Sequence, residues 1–149
     1  MSAATEITVA FEGKRVVRVA PAGITKALQA LKICQDDLLR GWNIDPAERE
    51  RVAEPAQAVV PDSKLLSWVD YPKKALDTGS YGTSIIVWTI GIDGTVSGCR
   101  TVIGSGTEAL DKAACLGITR NARYRPAAGQ DGQPMVTHHV RRIRWSLPY

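Results

Sequence analysis

Between Thr83 and Ile92 apolar side chains fall on alternate positions, at Ile86, Trp88, Ile90 and Ile92, and the run leads into Asp93-Gly94. A period of two places these four on one face of a strand. Asp-Gly is a strong two-residue hairpin turn, because Gly94 can take the positive φ that the turn requires. Thr95 to Ile103 then reads as the returning strand. A lone hairpin is not stable in water, so its apolar face must be covered. The cover follows at once. Gly104-Ser105-Gly106 reverses the chain, Thr107 is placed to cap a helix from Glu108 to about Asn121, and Leu110, Ala114 and Ile118 share one face of it. Asp111 lies one residue too far along to complete a capping box.

The flanking segments complete a domain. Tyr71-Pro72 opens a short helix, where the missing proline N–H costs nothing, Ala75 and Leu76 give it an apolar side, and Gly79 ends it. Tyr124 to Ala127 is a short extended piece, and Gln130-Asp131-Gly132-Gln133 turns the chain. Met135 to Leu147 reads as a long last strand. Its apolar residues change phase: Val136 and Val140 follow one alternation, Ile143, Trp145 and Leu147 the other. A bulge near Val140 to Arg142 is expected to restore a single face. The order helix, strand, strand, helix, strand predicts an α+β fold, a two-layer antiparallel sheet with covering helices.

The first third is separate in character. Thr5 to Val19 reads as two short strands around Glu12-Gly13-Lys14, and Ala20-Pro21-Ala22-Gly23 breaks the pattern. A helix is predicted from Ile24 to about Leu39, with Ile24, Ala27, Leu28, Leu31, Cys34 and Leu38 on one face and Gly41 as its stop. A hairpin and one helix make a poor core, so residues 1–45 are expected to belong to a larger domain. Residues 46–67, with Pro46, Pro55 and the charged run Glu48-Arg49-Glu50-Arg51, read as a linker with at most one helical turn. The second domain is expected to span residues 68–149, and residues 71–149 to fold without residues 1–60.

Composition limits the classes. At 44% hydrophobic residues the chain can build a core. No apolar run approaches the ~20 residues of a membrane span. Met1 to Glu6 carries no basic cluster followed by an apolar core, so no signal peptide is read there, and an exported protein would be represented by a mature form or a fragment. Residues 1–70 hold 9 Lys/Arg against 10 Asp/Glu, and residues 71–149 hold 10 against 5. The basic half suits an acidic partner, nucleic acid or anionic lipid, and equally an ordinary solvated surface. Cys34, Cys99 and Cys115 match no zinc spacing, and read alone they are buried free thiols, with an odd count leaving one unpaired. His138 and His139 are neighbours on a strand and face opposite ways, which excludes a local metal pair. Ser105 has no acid–base set, and Asp36-Asp37 lies on the polar side of a helix. No enzyme, metal or cofactor is therefore expected.

Tyr71-Pro72-x-x-Ala75, Gly82, Asp93-Gly94, Ser105-Gly106-x-x-x-Leu110-Asp111, Tyr124-Arg125-Pro126-Ala127 and Gly132-x-Pro134 occur in this order over about half the chain. In this the segment from Trp68 onward resembles the TonB C-terminal domain, with the TonB/TolA C-terminal-like arrangement of hairpin, helix and a final strand beside the first. The resemblance implies a periplasmic adaptor of the energy-transducer type, inner-membrane anchored if an upstream segment exists. It implies that the last strand is an open edge that accepts an extended receptor segment by β-augmentation. The site would be Met135, Val136, Thr137, His138, His139, Val140, Arg141, Arg142, Ile143, Arg144 and Trp145, with Thr137 or His139 presenting an outward N–H. Trp68, Val69, Asp70 and Tyr71 stand where the family meets its receptor, without the family's glutamine. The partners implied are an outer-membrane TonB-dependent receptor and, given an anchor, inner-membrane energy-converting proteins; a homodimer is compatible. In the oxidising compartment this implies, Cys99 on the second strand and Cys115 on the covering helix are expected to form a disulfide, leaving Cys34 as a core residue or with a partner upstream. The alternatives are a basic nucleic-acid or anionic-ligand binder using Trp145, Tyr124 and the arginines, and a free periplasmic scaffold protein with this domain.

Overall fold

The computed structural model describes residues 7–11, 15–19, 23–61 and 64–147. The chain divides into two compact units, residues 1–45 and 46–149.

In the first unit, β1 (Ile7–Phe11) and β2 (Arg15–Val19) pair antiparallel, from Ile7 opposite Val19 to Phe11 opposite Arg15. The turn expected at Glu12-Gly13-Lys14 and the break at 20–22 lie outside the described residues. Helix α1 (Ile24–Gly41) follows, with Asp36 paired to Lys32 and Asp37 to Arg40. Gly41 is still helical; the left-handed residue beyond the end is Asn43, at φ 53°. The predicted apolar face forms but stays exposed, with no residue of α1 buried and Cys34 a free, exposed thiol.

The second unit is built on a three-stranded antiparallel sheet in the order β10 (Thr137–Trp145), β5 (Gly82–Ile90), β6 (Val96–Ile103). Its central strand β5 (Gly82–Ile90) buries Ser84, Ile86, Trp88 and Ile90 on one face. Ile92 was expected on that face, but the strand has ended by then and Ile92 is exposed. The hairpin loop is one residue longer than the sequence suggests. Gly91 N–H donates to the Thr95 carbonyl and Gly94 N–H to the Gly91 carbonyl, so Ile92, Asp93 and Gly94 form a three-residue loop. Gly94 sits at φ 77°, and a Cβ there would lie 1.9 Å from the Tyr124 carbonyl oxygen. No other residue fits. The returning strand β6 (Val96–Ile103) carries the sheet's irregularities: its register shifts twice against β5, once between Ser97 and Arg100 and once between Thr101 and Ile103.

Helix α4 (Glu108–Asn121) covers the sheet through Leu110, Ala114 and Ile118, each fully buried. Burying a Leu or Ile side chain contributes roughly 1.5–3 kcal/mol, so this face anchors the fold. Thr107 is the N-cap residue but makes no side-chain cap; the Asp111 carboxylate instead accepts from Ser105 N–H at 2.9 Å and from Ser84 Oγ at 2.6 Å. Cys99 and Cys115 form the expected disulfide between β6 and α4, their Cα atoms 5.4 Å apart. Helix α3 (Lys73–Asp77) ends at Gly79 as expected, with Ser80 N–H bonding back to the Ala75 carbonyl.

The stretch read as a linker is more structured than the sequence suggests. It holds one helical turn, α2 (Glu48–Arg51), and two short strands, β3 (Val52–Glu54) and β4 (Gln57–Ala58). These pair with β8 (Ala127–Gly129) and β7 (Tyr124–Arg125), the extended piece after α4. Leu65 is buried, and Leu66 fills the space beside Gly117, where a Cβ would lie 2.3 Å from its side chain. Asn121 Nδ2 donates to the Leu65 carbonyl at 3.0 Å.

The predicted last strand is two strands. Pro134–Met135, β9, pairs with β8, and Thr137–Trp145, β10, pairs with β5. Met135 and Val136 therefore do not lie on the β10 edge. No bulge occurs in β10: its register against β5 is regular from Thr137 opposite Ile90 to Trp145 opposite Gly82. The single helix-facing alternation is Thr137, His139, Arg141, Ile143 and Trp145, and Val140 belongs to the other side. His139 holds a core-facing position by stacking, 4.8 Å from the Trp88 ring and 5.8 Å from that of Tyr124.

Candidate partner-binding edge

In an antiparallel ladder, alternate residues point both backbone groups at the neighbouring strand and the others point them away. Two bonds fix the phase here. Gly91 N–H reaches Thr95, so the odd residues of β5 face β6 and the even ones face β10. On the opposite strand, His138 N–H leaves the sheet altogether and donates to Glu48 Oε1 at 2.7 Å. The residues opening outward from β10 are thus His138, Val140, Arg142 and Arg144. Thr137 and His139, expected to carry the outward N–H, both bond inward to β5. The phase could not be read from the sequence, where the change of apolar alternation at Val140 obscured it.

The two ends of this edge differ. At its start Glu48 holds His138 twice, through the backbone N–H and through Nδ1, which lies 2.7 Å from Oε2. Both side chains are largely covered, 25% exposed for His138 and 12% for Glu48. Beside them is a cavity of about 300 Å³ lined partly by Val52, Pro55, Ala127 and Thr137. Beyond this latch, the outward amides of Val140, Arg142 and Arg144 meet no partner among the described residues. Arg142 and Arg144 are exposed and make no ion pair among those residues.

At the far end, Leu66, Ser67, Tyr71, Ile143, Trp145 and Leu147 line a groove of about 340 Å³. Tyr71 packs edge-on against Trp145, ring centroids 5.3 Å apart, and donates its hydroxyl to the Ser80 carbonyl. Of the segment expected to contact a receptor, Trp68, Val69 and Asp70 form a single 3-10 turn. Val69 is exposed, at 78%, and Tyr71 is buried. Asp70 is committed internally. It accepts from Ser67 N–H at 2.7 Å, from Ser67 Oγ at 3.0 Å, and from the Arg120 guanidinium. Burial alone would raise its pKa, but the Ser67 bonds and Arg120 together hold it below the ordinary aspartate value.

The aromatics that would serve a nucleic-acid strand are not available for stacking. Trp145 is 6% exposed and Tyr124 7%, and both pack inside the domain. His138 and His139 face opposite ways, one to Glu48 and one onto Trp88.

No helix among the described residues is long and apolar enough to cross a membrane. Residues 68–147 match the sequence model of the family described as Gram-negative bacterial TonB protein C-terminal. No curated protein matches the chain.

Proposed function

That match covers more than half of the chain, so the chain belongs to the TonB C-terminal family of transport adaptors, and from this premise we propose that it binds extended receptor segments by strand addition along β10. One observation carries the reading: a regular nine-residue edge strand whose outward N–H and C=O groups at Val140, Arg142 and Arg144 meet no partner among the described residues. Such an edge is a hazard unless it is used or protected. Three features guard it against pairing with its own copies: the exposed arginines, the short open length and the Glu48 latch. An incoming segment gains affinity from backbone bonds to the open residues and selectivity from the side chains beside them. On the helix-facing side it meets the groove by Tyr71 and Trp145.

The partner in this reading is a periplasmic segment of an outer-membrane TonB-dependent receptor, and binding couples envelope energy to transport across the outer membrane. Tied to an anchor, the chain would also meet inner-membrane energy-converting proteins; without one it would act as a free periplasmic scaffold. The test is titration with a receptor-derived peptide, followed by backbone amide shifts. Shifts should concentrate on Val140, Arg142, Arg144 and Val69. V140P removes an outward N–H while leaving the ladder to β5 intact, and it should abolish binding in a protein that still melts cooperatively. Undiminished binding by folded V140P rejects the edge as the site. Binding that collapses with salt and follows the arginines alone favours a phosphate-bearing ligand instead.

A further inference from the structure

Taking strand addition along β10 as the premise, we propose that Glu48 sets the register of the added strand, confining it to Val140, Arg142 and Arg144, and that the segment which fits carries acidic side chains at alternate positions opposite the two arginines. The register follows from the backbone. An edge offers a strand every second residue, and here the first offer, His138 N–H, is already taken by a carboxylate on the same chain. The second carboxylate oxygen holds the His138 ring, so Glu48 is fixed at both oxygens, and little of it is exposed. An added strand cannot bond at His138 without displacing a charge-assisted contact, which is stronger than the neutral bond that would replace it.

The side-chain chemistry follows from the alternation. Residues that open outward also project from one face, so Val140, Arg142 and Arg144 form a row with a small apolar residue first and two guanidinium groups after it. Cross-strand neighbours on one face interact, and unlike charges are favoured there. A partner with one apolar residue followed by acidic residues two apart matches this row. Polarity is set as well. The Glu48 carboxylate at one end repels an acidic side chain, and the guanidinium groups at the other attract it, so the acidic positions lie toward Trp145. Both arginines lack an ion-pair partner among the described residues, so pairing them breaks no existing bridge.

The test uses the full chain and three peptides of one length: acidic at the two alternate positions, glutamine at both, and lysine at both. Binding is followed by titration, and the ladder by amide hydrogen exchange. The acidic peptide should bind roughly fivefold tighter than the glutamine peptide, as expected of two partly exposed charge pairs, with the lysine peptide weakest. Bound peptide should slow exchange at Val140, Arg142 and Arg144 and leave His138 unchanged. In E48A the His138 amide should exchange quickly without peptide and become protected with it. E48Q keeps an acceptor for that N–H and should keep the shorter footprint, separating the bond from the charge. Equal affinity for all three peptides, or peptide protection of His138 in the unmodified chain, overturns the inference while strand addition stands. A single-stranded oligonucleotide that binds as tightly as the acidic peptide also overturns it. Failure of every peptide to protect any edge amide removes strand addition and this inference together.

Discussion

Ser84 Oγ donates to Asp111 Oδ1 at 2.6 Å, joining the start of the central strand to the first turn of the covering helix. Ser84 is fully buried, and the same carboxylate oxygen accepts from Ser105 N–H. Removing the carboxylate leaves a buried hydroxyl and a loop amide without their acceptor, which typically costs about 1–3 kcal/mol. D111A should lower the urea midpoint accordingly. D111N retains an acceptor oxygen and should fall between the two. An unchanged midpoint in D111A would mean that water replaces the carboxylate without loss.

The Cys99–Cys115 disulfide should account for about 3 kcal/mol of stability in the chain-entropy picture. Unfolded, unreduced protein should take up alkylating reagent at Cys34 alone, and reduction should add Cys99 and Cys115, read by intact mass. The double variant C99A/C115A should melt at a lower temperature and be indifferent to reductant. Alkylation of Cys99 before reduction counts against the bond.

Asp70 gives the domain an acid-sensitive contact. Its folded pKa is lowered, so its contribution is fully present above the unfolded aspartate value and is lost as pH falls through the folded one. Stability should therefore decline on acidification, with part of that decline absent in D70N. D70N should also be less stable than the parent at neutral pH, because the Ser67 and Arg120 contacts weaken. Parallel stability–pH curves for the two proteins would place the acid sensitivity elsewhere.

Residues 46–149 should melt cooperatively as a fragment, while residues 71–149 should melt at a clearly lower temperature or without a sharp transition. The shorter piece loses buried Leu65, the Leu66 contact beside Gly117, and the two strands that pair with 124–129. Equal melting of the two fragments would show that residues 46–70 are dispensable.

Local signals made much of this domain legible in the sequence. Ile86, Trp88 and Ile90 announced the central strand by their period, and Leu110, Ala114 and Ile118 announced the helix that covers it. Gly94 was legible as a turn residue, although the extra loop residue was not, since both loop lengths use a glycine in the left-handed region. The edge was harder. Its helix-facing row includes the polar residues His139 and Arg141, and His139 holds its place by stacking on Trp88 and Tyr124 from elsewhere in the fold, so alternation misled about Val140. β3 and β4 were missed for a related reason. Strands of two or three residues carry no period of their own, and their partners lie some seventy residues away. Glu48 read only as part of a charged run in a linker. Nothing local links it to His138, ninety residues later.

The pairing of β3 and β4 with 124–129 also has a mechanical meaning. A tensile load entering this unit at Pro46 would reach Glu48 after two residues, and then five strand residues held by short ladders, before it reached Leu65 and the packed layer behind it. These outer attachments are ladders of two pairs each, much shorter than the nine-pair ladder between β5 and β10, and would yield before it. Traction from that side would pull Glu48 from His138 and free the last outward amide while the sheet itself stayed whole. The length of edge open to a partner would then depend on tension in the chain.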